Sequence, residues 1–142
     1  MPMPDANRPE NAGILPYLER SGTTEPDPHP DEADRYRLGT HPDIVARLWD
    51  VLATAFDADA RAVVHGTPAL VDPSSGVVMA VGLGTTYALR LAPIDAAGGT
   101  TVHVYASVGR TLDLAATFGP GWVFGTHGDG EVAALRRAAD LP

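Results

Sequence analysis

The sequence predicts an α+β fold: an antiparallel β-meander of about five strands with helices packed on one face, preceded by a Pro-rich acidic N-terminal arm. Two observations support this prediction. Apolar residues recur at helical spacing over 41–56, and five short apolar runs then follow one another over 61–106. The runs are separated only by short stretches rich in Gly, Pro, Ser and Asp. Because these leave no room for crossover helices, neighbouring strands should pair antiparallel.

The N-terminal arm differs in composition from the rest of the chain. Residues 1–39 contain seven of the 13 prolines and eight acidic residues. Pro26, Pro28 and Pro30 alternate with other residues, which removes amide donors and disfavours both helix and strand pairing. We expect an arm over 1–39 that is disordered or docked through its apolar run at 14–18, followed by a single α+β domain over 40–142.

The first predicted helix spans 41–56. Thr40 is its expected N-cap, with Pro42 and Asp43 in the first turn. The predicted strands cover 61–65, 69–72, 77–83, 86–92 and 100–106. After them we expect a short helical turn at 111–118, a small strand or apolar plug at 122–124, and a final helix over 130–140 capped by Asp129.

Alternation along the strands predicts two unlike faces of the sheet. The large side chains should face the helices: Val77, Met79, Val81, Leu83, Tyr87, Leu89 and Leu91. The opposite face would then carry mostly small residues with a few polar ones: Ala80, Gly82, Ala88, Arg90, Thr101, His103 and Tyr105. A solvated face would be richer in charge, so this face should be covered or bind something.

Arg90, Thr101, His103 and Tyr105 are therefore the candidate ligand or interface residues. In one interpretation Arg90 clamps a small carboxylate or amide, with His103 and Tyr105 as hydrogen-bond partners. In a second, the face is a dimer or partner interface anchored by Tyr and Arg. In a third, the arm covers it and Arg90 pairs with an arm carboxylate.

His65 and Asp72 are weaker candidates. If the strands that they end form a hairpin, the two side chains could approach each other, and the carboxylate would orient the imidazole as a general base. The alternative is an ordinary histidine at a strand end. Ser74 and Ser75 lie in a Pro-Ser-Ser-Gly turn, whose geometry accounts for them without catalysis. The five histidines lack metal-site spacing, so we expect neither a metal nor a cofactor.

The composition narrows the classes of function. The chain of 142 residues contains no Cys and no Lys and carries a formal charge of −8. The absence of Cys excludes disulfide scaffolds and thiol nucleophiles, and the acidic balance argues against nucleic-acid binding. The longest apolar stretch is too short to span a bilayer, so we expect a cytoplasmic protein without a membrane partner.

These observations favour a non-catalytic protein-interaction or accessory module, with a homodimer among its expected states and with basic proteins as suitable partners. The alternative is a small-molecule-binding protein or small enzyme that uses Arg90, His103 and Tyr105. Whether the chain catalyses any reaction is left open. On the interaction-module hypothesis, deleting residues 1–38 should leave the core folded and should change the affinity for a partner or for a second copy of the chain.

Overall fold

The structure is a computed structural model that describes residues 1–97, 105–106, 110–111 and 113–141. Its strands are β1 (Arg61–Val64), β2 (Thr67–Val71), β3 (Val78–Leu83), β4 (Thr86–Arg90), β5 (Tyr105–Ala106), β6 (Arg110–Thr111) and β7 (Trp122–Phe124). Five of them form one antiparallel sheet in the order β1-β2-β3-β4-β7, and β5 pairs with β6 separately. The α+β fold with a strand meander is therefore confirmed.

The α-helices are α1 (Ile14–Ser21), α2 (Pro42–Ala46), α3 (Pro93–Ala97), α4 (Leu114–Phe118) and α5 (Glu131–Ala138). A π-helical turn (Arg47–Val51) and a 3-10 turn (Leu52–Ala55) continue α2, so the chain is helical from 42 to 55, close to the predicted 41–56. Shorter 3-10 turns cover Pro9–Asn11 and Arg35–Arg37.

Two predicted helix caps are replaced. The Nδ1 of His41, and not Thr40, accepts the amide of Asp43 at 3.1 Å at the start of α2. The N-cap of α5 is Gly130, without a side-chain hydrogen bond, so Asp129 does not cap it.

The last predicted strand of the meander is wrong in its pairing. Of the predicted strand at 100–106, only Tyr105 and Ala106 lie within the described residues, and they pair with Arg110 and Thr111. The place beside β4 is taken by β7, the segment predicted as a small strand or plug. After β6, the helix at 114–118 returns the chain so that β7 runs antiparallel to β4. A meander in which each strand pairs with the next one in the sequence does not predict this pairing.

A β-bulge at Met79 explains why the predicted faces of β3 are wrong. Leu70 pairs with Ala80, but the next residue, Val71, pairs with Val78, so Met79 is the extra residue. An extra residue reverses the alternation of side chains along a strand. Val77 and Met79 consequently belong to one face, whereas Val81 and Leu83 belong to the other.

Helices cover both faces of the sheet. We call the first face the long-helix face, because the helical segment 42–55 and α5 pack on it. Its core includes Leu48, Trp49, Leu52, Tyr87, Leu89 and Leu135. We call the second the arm face, because α1 of the N-terminal segment packs on it together with α4. Its core includes Ile14, Leu18, Val71, Val81, Ala88 and Phe118.

No helix among the described residues is both long enough and apolar enough to cross a bilayer.

Candidate functional site

The predicted Arg90 group is only partly described. Arg90 lies at the end of β4, is half-buried, and lines a cavity together with arm residues and the end of α4. Thr101 and His103 lie outside the described residues. For Tyr105 only the backbone, paired with Thr111, is described. The proposed face is also split, since Ala80 belongs to the long-helix face and Ala88 to the arm face.

His65 and Asp72 are not brought together. Strands β1 and β2 do form a hairpin, but His65 lies in its turn and Asp72 follows the far end of β2. The five residues of β2 between them span about 17 Å. The Asp72 carboxylate instead accepts hydrogen bonds from the amide and hydroxyl of Ser74 at 3.0 and 2.9 Å, which fixes the turn containing Ser74.

A cleft of about 500 Å³ lies at one end of the sheet. Four segments of the chain line it: 17–23 at the end of α1, 37–40 before α2, the β1–β2 turn at 65–67, and 82–84 at the end of β3. Two of these four segments belong wholly or mainly to the N-terminal arm. This volume lies in the range of small-ligand pockets.

Hydrogen bonds to the β1–β2 turn hold the arm beside the cleft. His65 and Gly66 have φ of 50° and 80°, the left-handed backbone of a tight two-residue hairpin turn. The Asp27 carboxylate accepts both of their amides, at 3.1 and 2.8 Å, and the Thr23 amide donates to the His65 carbonyl at 2.8 Å. The proline-rich segment around Asp27 is thus held to the β1–β2 turn by specific hydrogen bonds.

Thr40 packs directly on the sheet at the base of the cleft. A Cβ at Gly82 would lie 2.7 Å from Thr40 Oγ1, so only glycine allows this close approach. Nearby, the His41 amide donates to the Gly84 carbonyl at 2.7 Å. These contacts place the start of the long helical segment against the cleft.

The residues that line the cleft are less acidic than the chain as a whole. None of its described lining residues is Asp or Glu, and Arg37 and His65 are among them. The Arg37 side chain is 87% exposed and its Nε lies 3.5 Å from the Asp34 carboxylate. The adjacent Tyr36 is 84% exposed, the most exposed of the large apolar residues described. The rim therefore presents the Arg37 guanidinium to solvent, and the exposed ring of Tyr36 is next to it in the chain.

A second cavity, of about 410 Å³, lies on the arm face, and we call it the Arg90 cavity. Its walls are residues 9–13 of the arm, Arg90 of β4, and residues 116–120 at the end of α4. Glu10 is the carboxylate among its lining residues, and its Oε2 lies 3.0 Å from Arg8 Nε. Arm residues thus form a wall of both cavities.

A buried polar network lies on the long-helix face. The Tyr87 hydroxyl donates to Glu131 Oε1 at 2.5 Å and accepts the His127 amide at 2.8 Å, while Arg47 donates to the same carboxylate oxygen at 2.8 Å. Burial and the Glu131 carboxylate raise the pKa of Tyr87 to about 12. Because Tyr87 is fully buried, this network fixes the loop before α5 and is not a site open to substrate.

Arg61 of β1 joins the arm to the hairpin by ion pairs. Its guanidinium lies 2.7 Å from Asp31 Oδ1 and 2.8 Å from Asp59 Oδ2. Hydrogen bonding from Arg61 lowers the pKa of Asp59 to about 2, and it also lowers the pKa of Asp31.

Sequence reasoning missed the cleft because its rim lies in the segment interpreted as an arm. A signal was present, since the apolar run at 14–18 contains Ile14 and Leu18, which are fully buried. The described residues contain no cluster of three His, Asp or Glu side chains able to hold a metal ion.

Comparison with protein-family models, with curated proteins and with solved structures finds no match to this chain.

Proposed function

We propose that this chain is a non-catalytic protein-interaction module that receives an extended segment of a partner protein in the cleft. The observation that carries the proposal is a cleft of about 500 Å³ whose lining residue Arg37, and the adjacent Tyr36, are almost fully exposed. Tyrosine and arginine are the residues that most often anchor protein interfaces. A small ligand enclosed by the cleft would leave Tyr36 unused, whereas a polypeptide that extends beyond the cleft past Arg37 would contact both residues.

The charge of the chain favours a partner that is basic overall. A formal charge of −8 attracts basic proteins at long range and disfavours nucleic acid. Inside the cleft, Arg37 and hydroxyl side chains such as Thr67 would hydrogen-bond to carbonyl or carboxylate oxygens of the bound segment. Long-range attraction and local contacts thus have different origins, and salt should weaken the first more than the second.

We place this module in the cytoplasm, and cell fractionation would test that expectation. Self-association also remains a prediction. Both sheet faces carry helices, so a homodimer would use the cleft rim or the outer helix surfaces. Gel filtration with light scattering would measure it.

The test is selection of short random peptides displayed on phage against the immobilised full-length chain. Selected peptides are then synthesised, and their affinity is measured by fluorescence anisotropy for three proteins: the wild type, Thr67→Tyr and Thr126→Tyr. Thr67 lines the cleft, whereas the exposed Thr126 does not, so the second variant is the matched control.

We expect selected peptides to be rich in Arg or Lys, to lose at least about tenfold in affinity with Thr67→Tyr, and to keep their affinity with Thr126→Tyr. Circular dichroism confirms that both variants are folded. A selection that yields no binder, or binders that Thr67→Tyr leaves unaffected, would contradict the proposal.

A further inference from the structure

The Arg90 guanidinium has no ion-pair or hydrogen-bond partner among the described residues. Within that part of the chain, seven arginines form ion pairs with carboxylates: Arg8, Arg35, Arg37, Arg47, Arg61, Arg136 and Arg137. Within the described part of the chain, no carboxylate lies within ion-pair distance of Arg90 and no hydrogen bond from its side chain is formed. Arg20 also has no such ion pair, but it is exposed to solvent, whereas Arg90 is half-buried.

The guanidinium of Arg90 is open to a ligand. Arg90 is half-buried and lines the cavity, yet none of its nitrogens is among the fully buried atoms without a partner, so they can bond to a molecule that enters the cavity. The third interpretation from the sequence, in which an arm carboxylate neutralises Arg90, required such a pair. Glu10 lines the same cavity, but its ion-pair partner is Arg8.

The surroundings of Arg90 specify the charge and character of a ligand. Among the described residues around the cavity, Arg90 and the Arg8–Glu10 pair carry one net positive charge, which one carboxylate would neutralise. The Thr117 hydroxyl provides a second donor in the lining, and the rest of the wall is largely apolar, including Pro9, Ala12 and Pro120. A ligand with two carboxylates would leave one of them near Glu10 without a counter-charge.

We propose that the Arg90 cavity binds a small organic monocarboxylate with an apolar body, whose carboxylate is held by the Arg90 guanidinium. A planar guanidinium can donate two parallel hydrogen bonds to one carboxylate, which provides both affinity and orientation. The volume of about 410 Å³ accommodates such a molecule. This site is distinct from the cleft, so it does not depend on the protein-interaction proposal.

The experiment is isothermal titration calorimetry of the full-length chain with two probes, hexanoate and phenylacetate. Phenylacetamide tests the need for the carboxylate, and glutarate tests the preference for a single charge. The variants are Arg90→Gln, Arg90→Lys and Arg20→Gln; the last is the control that removes an exposed arginine outside the cavity. Thermal unfolding confirms that each variant is folded, and Thr67→Tyr checks independence from the cleft.

We expect at least one monocarboxylate to bind, and Arg90→Gln to weaken it by at least about tenfold, in line with the loss of charged hydrogen bonds. Arg90→Lys should retain part of the affinity, whereas Arg20→Gln and Thr67→Tyr should retain all of it. Failure of both probes to bind would overturn the proposal, as would binding that survives Arg90→Gln. Equal binding of phenylacetamide or glutarate would overturn the assignment of the ligand class.

Discussion

The two faces of the sheet are covered in different ways. On the long-helix face, one continuous helical segment over 42–55 provides most of the cover and α5 adds the rest. On the arm face, α1 and α4 come from opposite ends of the chain, and α4 has only five residues. Both cavities are lined by arm residues. Both cavities thus lie where short segments of the arm meet other parts of the fold.

Although the two covers differ in construction, each buries leucine side chains in the core of its face. We therefore expect the arm to stabilise the fold as much as the long helical segment does. Leu18 and Leu48 are both fully buried, one on each face. Leu18→Ala and Leu48→Ala should each lower the free energy of unfolding by about 3 kcal/mol, because both leave cavities in a packed core. Urea denaturation measures both values. If Leu18→Ala costs less than about 1 kcal/mol while Leu48→Ala costs the expected amount, the arm is only loosely attached.

Asn11, a buried polar residue of the arm, provides a second test of the contact between the arm and the sheet. Its amide nitrogen donates to the carbonyls of Asp5 and Gly76, and its Oδ1 accepts the amide of Val78 at 2.9 Å. Asn11→Ala would leave the buried Val78 amide unpaired and should cost about 2 kcal/mol in urea denaturation. The exposed Asn7→Ala is the control, and equal effects of the two variants would count against the contact.

The sequence predicted the long-helix face better than the arm face. Periodicity over 41–56 identified its main helix, and alternation correctly placed Tyr87 and Leu89 on that face. The arm face was not predicted, for two physical reasons. Prolines at 26, 28 and 30 suppress regular structure without preventing docking, and the bulge at Met79 reverses the side-chain alternation of β3. Of the candidate site residues, Arg90 lines a cavity, but the cleft depends on contacts between distant segments.

Tyr87 provides the corresponding test on the long-helix face. Tyr87→Phe removes the hydroxyl that bonds to Glu131 and to the His127 amide, leaving that amide without its partner. We expect a loss of about 1–2 kcal/mol in the free energy of unfolding, measured by chemical denaturation. Tyr36→Phe, at an exposed position, should have no measurable effect on stability. A silent Tyr87→Phe would show that the network does not stabilise the loop.

The smallest expected effect concerns the ion pairs of Arg61. The pKa of Asp59 is lowered from 3.8 to about 2 by Arg61, so the ionised carboxylate stabilises the folded state above pH 4. This contribution is lost as the pH falls from about 4 to 2, where Asp59 takes up a proton. The stability difference between the wild type and Asp59→Asn should therefore be constant above pH 5 and should shrink below pH 4. A difference independent of pH would exclude this pair as a source of stability.

The central claim is that the arm is a layer of the fold, and removal of residues 1–39 tests it most directly. From the sequence, the core was expected to stay folded without the arm. The burial of Ile14 and Leu18 predicts the opposite, because truncation exposes Val71, Val81 and Ala88 to water. Thermal unfolding of residues 40–142 should lose its cooperative transition, or show one far below that of the full chain. If the truncated chain unfolds with the same midpoint and cooperativity as the full chain, the claim is contradicted.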